Sequence, residues 1–288
     1  MSGFTLIEWI QLIKKSKSRL NLMNKPVKFK FYSTFSFLIV LFLFTSCSDS
    51  STGLDDNNIE PPEIPELIPV DINTDYFSDN TPAFNELTAS FYEASGYAQI
   101  ASFTLMGASL LGTGFLELAR SDDAEFKNGM WEWAYSFQQG SESLSIRVTA
   151  KPVSSGYEWN VFLSGNFSGL GQSLDEFLFL SGTVNSDGTG GGWNFFDPES
   201  QSPVLFYKWD ITSATVYSVE YTFNDTEEGD DFTISYDRDG HENFIFFTGN
   251  QFDAGVELYW NTNTLNGYIV QDGEKRCWNS NFEETACS

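Results

Sequence analysis

From residue 130 onward, the apolar residues of this chain recur at every second position. The stretch WEWAYSF, residues 131–137, has an aromatic residue at its first, third, fifth and seventh positions. A period of two is that of a β-strand, whose successive side chains point to opposite faces of a sheet. The alternation therefore predicts strands, with one apolar face turned to a core and one polar face in water.

Eleven such stretches are separated by turn signals, among them three Asp-Gly pairs that supply the positive φ of tight hairpins. The connections are too short for crossover helices, so neighbouring strands are predicted to pair antiparallel. We predict a mainly β fold with an N-terminal helical segment, in which a large antiparallel meander curves into a half-barrel or barrel. A β-sandwich or jelly roll is the alternative. The predicted strands are 130–137, 143–150, 157–165, 176–184, 191–196, 203–211, 215–223, 231–236, 243–248, 255–260 and 265–270.

Residues 84–119 are predicted to be helical. Apolar residues recur there at spacings of three and four, which places on one helix face Phe84, Leu87, Phe91, Ala94 and Ala98. Residues 94–116 carry no charge, and their length alone permits a membrane span. Interspersed Ser, Thr and Gly favour instead a buried helix whose small residues let it lie close on a sheet. A pair of short helices broken at glycine is equally compatible.

The region before the domain begins with a basic stretch and a short apolar run. Three lysines precede the uncharged residues 35–46, and Cys47 follows directly. Twelve helical residues rise about 18 Å, less than the ~30 Å of a bilayer core. This pattern is typical of a secretory signal. Residues 1–22 contain a prepilin-like GFTLIE that lacks the apolar stretch a pilin needs, so they are predicted to be a start-site extension.

Residues 43–47, Leu-Phe-Thr-Ser-Cys, resemble the lipobox of bacterial lipoproteins, with Phe44 where leucine is usual. The resemblance covers residues 23–47 and implies removal of the signal peptide 23–46 and lipidation of the Cys47 thiol. A signal that is cut elsewhere or retained would leave Cys47 a plain thiol. Ser48, Asp49 and the acids that follow resemble signals of Bacteroidetes-like lipoproteins, which favours the outer membrane, on its periplasmic face or at the surface.

The predicted order is a lipidated flexible stalk over 47–75, a helical segment over 76–129 and an antiparallel β domain over 130–288. From Cys47 on, the chain has 8 basic and 39 acidic residues, which gives a net charge of −31. Such a surface repels nucleic acid, and the membrane is expected as a partner through the lipid anchor alone. Cys277 and Cys287 are predicted to form a disulfide in an oxidising compartment. Ligand and oligomeric state stay open.

Few residues suggest a metal or catalytic site. His241 is the single histidine, which disfavours a Ser-His-Asp triad and a structural zinc site. Asp237, Asp239 and Glu242 resemble the opening of an EF-hand loop, but threonine stands where its final glutamate belongs, so a tight turn is favoured. The acidic cluster 225–231 is a weak calcium candidate. We predict no metal, no cofactor and no catalytic residue.

Two functions fit these observations. The first is a cell-envelope lipoprotein with a non-enzymatic binding or structural domain, able to hold an apolar or amphipathic ligand under the curved sheet. At the level of architecture it resembles envelope lipoproteins that carry amphiphiles. The alternative is a surface carbohydrate-binding or glycoside-hydrolysing protein, whose acids would come from the polar strand faces. Those acids are Glu132, Glu158, Glu220 and Glu257. The aromatic residues are predicted to fill the core rather than bind sugars.

Overall fold

The computed structural model describes residues 62, 72–119, 124–139, 142–167, 172–225, 230–250, 252 and 254–287. The chain divides into two compact units, residues 1–59 with 167–172 and residues 60–166 with 173–288. The fold below is that of the second unit. The predicted start-site extension, signal peptide, lipidation at Cys47 and most of the stalk lie outside the described residues.

Fourteen strands form one antiparallel sheet in which each strand pairs with the next along the chain. Among the described strands, the first and last do not pair with each other, so the sheet is an open meander. The predicted fold class and all eleven strands are confirmed, and the sandwich alternative does not form. The strands are β1 Glu125–Lys127, β2 Met130–Gln139, β3 Glu142–Val153, β4 Gly156–Phe167, β5 Gln172–Asn185, β6 Gly190–Phe196, β7 Pro203–Ser213, β8 Val216–Asp225, β9 Asp230–Asp239, β10 Glu242–Gly249, β11 Val256–Asn261, β12 Gly267–Gln271, β13 Glu274–Trp278 and β14 Glu284–Thr285.

The strand register aligns the apolar positions across the sheet. One row crosses six strands, with consecutive cross-strand partners Trp193, Tyr207, Tyr221, Ile234, Phe247 and Val256. All six side chains are buried. A slip by one residue in any strand would turn its apolar set to water, so burial of one face fixes the register.

Two helices cover part of this apolar face. The short helix α1 spans Asp75–Asp79, and a 3₁₀ turn at Glu86–Thr88 leads into the long helix α2, Ala89–Leu118. The α2 helix is unbroken, so the two-helix alternative does not form. Small side chains line its buried face: Ala94, Ala98, Ala101, Ala108 and Gly112. Their small size lets the helix backbone lie close on the sheet, as predicted.

The α2 helix runs across the strands rather than along them. Its contacts follow the strand order: Glu93 with Arg276 of β13, Tyr97 with Phe247 of β10, Phe115 with Phe179 of β5, and the Leu118 carbonyl with the Tyr135 hydroxyl of β2. A 30-residue helix is about 45 Å long, whereas the strands from β2 to β13 span about 50 Å when flat. Because both ends of the sheet reach the helix, the sheet curves around it.

Two predicted core residues are exposed. Phe84 and Leu87 are 74% and 57% exposed, because the chain is not yet α-helical before Ala89. The helical spacing that would place them on the buried face therefore does not apply to them. Within the described residues, α2 is long and apolar enough to cross a membrane by length and composition alone. Here it lies with one face on the sheet.

The disulfide between Cys277 and Cys287 is present, with the two Cα atoms 5.3 Å apart. It fastens the last residues to β13, where the short edge strand β14 pairs with Cys277 and Trp278. Short edge strands limit unwanted pairing with other chains. At the other edge, β1 has three residues.

Candidate functional site

A half-open groove of about 440 Å³ lies between α1 and the first turns of α2. Ligand pockets typically enclose ~300–1,000 Å³, so its size is sufficient for a small molecule. Its lining combines two phenyl rings with hydroxyl and amide groups: Thr74, Phe77, Ser78, Thr81, Phe91, Tyr92, Ser95, Gly96 and Gln99. We refer to it as the α1–α2 groove.

One wall of the α1–α2 groove is α1, which is anchored on the sheet by two aromatic side chains. The Trp278 Nε1–H donates a hydrogen bond of 2.9 Å to the Tyr76 hydroxyl. Burial raises the pKa of Tyr76 to about 12, against the opposing effect of this hydrogen bond. Phe77 packs 5.2 Å from Trp260 and 5.3 Å from Phe91, measured between ring centroids. The hydroxyl-bearing side of α1 is left to face the groove.

The other wall is the N-terminal part of α2. The Asn85 side chain accepts from the Leu87 N–H and thereby caps the 3₁₀ turn that starts the helix. The Tyr92 hydroxyl donates to the Pro82 carbonyl, which holds the loop between the two helices. Farther along, the Gln99 amide donates to the Ser95 hydroxyl at 3.2 Å. Both walls are therefore held by hydrogen bonds within the domain.

The polar groups of the groove favour a neutral ligand that donates hydrogen bonds. None of the described residues that line it is charged. The Ser78 and Thr81 hydroxyls donate to backbone carbonyls of α1, at 3.2 Å to Asp75 and 2.9 Å to Ser78. A hydroxyl whose proton is used in this way keeps acceptor lone pairs. The Phe77 and Phe91 rings also line the groove, but with only 3% and 1% of their surface exposed they belong mainly to the core beneath it.

The four acids considered for glycoside hydrolysis lie on four different strands, β2, β4, β8 and β11. Arg147 pairs with Glu132 at 3.5 Å, and the Asn160 amide donates to Glu158. Glu257 accepts from the Tyr268 hydroxyl. Burial and the Glu220 carboxylate raise the pKa of Asp237 on the neighbouring strand.

The segment considered as an EF-hand opening forms the β9–β10 hairpin, as the favoured interpretation predicted. Asp239 pairs with Glu242 across the turn, and Gly240 has a φ of +62°. His241 lies in this turn, with its Nδ1 3.1 Å from the Thr262 hydroxyl. Among the described residues, no three His, Cys, Asp or Glu side chains come together as a possible metal site. The cluster 225–231 lies largely outside those residues.

Aromatic side chains also form a row on the water face of the sheet. Phe244, Tyr259 and Tyr268 are cross-strand neighbours, with ring centroids 4.8 and 5.3 Å apart. The Lys275 ammonium lies 3.7 Å from the Tyr268 ring centroid. The two tyrosine rings are within 26° of parallel, so their faces largely contact each other.

Comparisons with known proteins found no match for this chain. No protein-family model, no curated protein and no solved structure matches this chain. The fold and the groove are therefore interpreted from their own geometry and chemistry.

Proposed function

We propose that this chain is a cell-envelope lipoprotein, held at the outer membrane by lipid on Cys47, whose folded domain is a non-enzymatic binding module. The lipobox-like residues 43–47 and the acidic, proline-containing stretch after them support the anchor. Each buried methylene contributes about 0.8 kcal/mol, so several acyl chains hold a protein stably on a membrane.

The observation that carries the binding role is the α1–α2 groove. The described residues that line it are uncharged and present hydrogen-bond acceptors, and they include two phenyl rings that are otherwise buried in the core. These features fit a neutral amphipathic molecule, with hydroxyl or amide donors on one part and an apolar chain on the other. The groove lies beside α2. The buried face of α2 packs directly on the sheet at Ala94, Ala98 and Leu105, which have no exposed surface.

The anchor is tested by metabolic labelling with a clickable fatty acid in a Gram-negative host. We expect the wild-type chain to take up the label and fractionate with membranes, because the acyl chains would be attached at Cys47. The Cys47→Ala variant should lose the label and the membrane association. Equal labelling of both chains would contradict the proposal. The Cys287→Ser variant is the control, since it removes a cysteine far from the signal.

The groove is tested with octyl glucoside below its critical micelle concentration, titrated by calorimetry. We expect the wild type to bind it and Ser95→Phe to bind at least ~tenfold more weakly, because the new ring would occupy the groove. Tenfold corresponds to about 1.4 kcal/mol. Thr104→Phe, farther along the same helix, should bind as the wild type does.

Two results of this titration would change the assignment. Equal affinity of the wild type and Ser95→Phe would exclude the groove as the binding site. Binding of a glucose oligosaccharide without an alkyl tail, at an affinity equal to that of octyl glucoside, would favour the carbohydrate-binding alternative. In that case the apolar part of the ligand contributes nothing to recognition.

A further inference from the structure

The face of α2 that points away from the sheet is apolar and lacks a partner in the described domain. The exposed fractions of its large side chains, Ile100, Phe103, Met106 and Leu110, are 40%, 59%, 49% and 52%. No charged residue occurs over 94–116. An exposed apolar patch of this kind marks an interaction surface more often than chance exposure.

Six residues of this face follow a regular spacing along the helix: Gly96, Ile100, Phe103, Gly107, Leu110 and Gly114. The steps alternate between four and three residues. At 3.6 residues per turn they lie within an arc of about 80°. This is the spacing of residues at the contact line of two helices that pack nearly parallel or antiparallel. We call these six residues the α2 seam.

We propose that the α2 seam binds the α2 seam of a second copy of this chain, with the two helices antiparallel. The seam is self-complementary about its centre, at the level of Leu105. In that arrangement Phe103 meets the partner's Gly107, Ile100 meets the partner's Leu110, and Gly96 meets the partner's Gly114. Each contact occurs twice, as a twofold axis requires. A large side chain thus lies over a glycine at the centre.

The seam glycines support a helix as the occupant. A Cβ atom added at Gly96 or Gly114 would meet nothing within 4 Å, so packing inside the domain does not require glycine at either position. Glycine also disfavours a helix relative to alanine. Small residues on an exposed helix face allow a second helix backbone to approach closely.

Electrostatics favour a second copy over a lipid surface. Helices that lie on membranes typically carry lysine or arginine beside their apolar face, and α2 has neither. The chain as a whole is strongly acidic, with a net charge of −25, yet the seam itself is uncharged. Two copies can therefore meet at the seam without burying like charges. A contact about 27 Å long along one helix is small for a protein interface, so the dimer should depend on concentration.

The first test is sedimentation velocity of the full chain over a range of protein concentrations, at one fixed concentration of nonionic detergent. We expect a reversible monomer–dimer equilibrium for the wild type. Phe103→Glu should weaken it at least ~tenfold, because it places two carboxylates at the centre of the contact. Phe84→Glu is the matched control: Phe84 is more exposed, lies outside the seam, and its replacement should leave the dimer unchanged.

The second test determines the direction of the helices, in a Cys47→Ser background with a short bismaleimide. A mixture of Ile100→Cys and Leu110→Cys chains should cross-link, because these positions are opposed in the antiparallel pair. Ile100→Cys alone should not, since its two copies would lie about 15 Å apart along the axis. Efficient cross-linking of Ile100→Cys with itself overturns the antiparallel arrangement. A Cys47→Ser chain that stays monomeric at every concentration overturns the second copy as the occupant. If this chain, which has no lipid anchor, also pellets with phosphatidylcholine vesicles, the seam binds a lipid surface instead.

Discussion

Replacing Trp260 with alanine is expected to lower the free energy of unfolding by about 3–5 kcal/mol. Trp260 has no exposed surface and lies on the sheet face that α1 covers. Its ring is 5.2 Å from Phe77 and 6.3 Å from both Tyr76 and Tyr236, measured between centroids. Removing the indole leaves a cavity beneath α1, so the loss includes both its buried area and its contacts with α1.

Urea unfolding followed by circular dichroism measures this loss. Phe246→Ala is the control, because Phe246 is an aromatic residue on the neighbouring strand whose side chain is 44% exposed on the water face. We expect it to cost about 1 kcal/mol or less. A Trp260→Ala cost no larger than that of Phe246→Ala would contradict the packing of α1 over this position.

The strands could be predicted because alternation is a property of each stretch by itself. Where one face of a sheet is buried and the other is exposed to water, every second residue of a strand is apolar. The three strands missed from the sequence are β1, β13 and β14. Two of them have only two or three residues, and β13, EKRCW, begins with three charged residues. These stretches are strands because they pair with neighbouring strands, and their own sequences do not show the alternation of apolar and polar residues.

The tryptophans follow the same reasoning. Their alternation with polar residues predicted a core role, and the seven that the structure describes are all buried. Trp133 of β2 and Trp159 of β4, for example, contact each other across β3, with ring centroids 5.9 Å apart. The aromatic residues on the water face are phenylalanines and tyrosines, which the sequence alone did not separate from the core set.

The groove could not be predicted from the sequence. Its two walls come from residues 74–81 and 91–99, and nothing local shows that they face each other. The contact that positions α1 joins Tyr76 to Trp278, 202 positions away. Residues up to 75 were assigned to the stalk, yet Ile72 is already buried in the domain. The serines and threonines of α2 favoured a buried helix over a membrane span, and they gave no indication of a groove.

Unlike the groove, the α2 seam has a pattern that is visible in the sequence but can be interpreted only with the structure. Its spacing is visible in the sequence, but the pattern of small and large residues there also fits a helix buried on all sides. The structure decides between these because Phe103 and Leu110 are exposed while Ala101 and Leu105 are buried. The exposed spacing then becomes evidence for a partner helix.

Replacing either of two glycines of α2 with alanine is expected to change the free energy of unfolding. The two changes should have opposite signs, although Gly112 and Gly114 are only two positions apart. A Cβ at Gly112 would lie 2.4 Å from Nε1 of Trp193, a side chain that is only 2% exposed. We expect Gly112→Ala to destabilise the domain by about 1–3 kcal/mol, because the buried indole must move or the helix must lift off the sheet. This value is the net effect, because the steric cost must also offset the gain of about 1 kcal/mol that alanine brings to a helix interior.

At Gly114 the same substitution meets open space. Gly114→Ala should therefore stabilise the monomer by about 0.5–1 kcal/mol through helix preference alone. Both variants are measured by urea unfolding at a protein concentration low enough to keep the chain monomeric, so that the seam does not contribute. Unfolding free energies that change in the same direction for the two variants would show that α2 does not lie on Trp193 through Gly112. The opposite signs are expected because one face of α2 is pressed on the sheet and the other is free to bind.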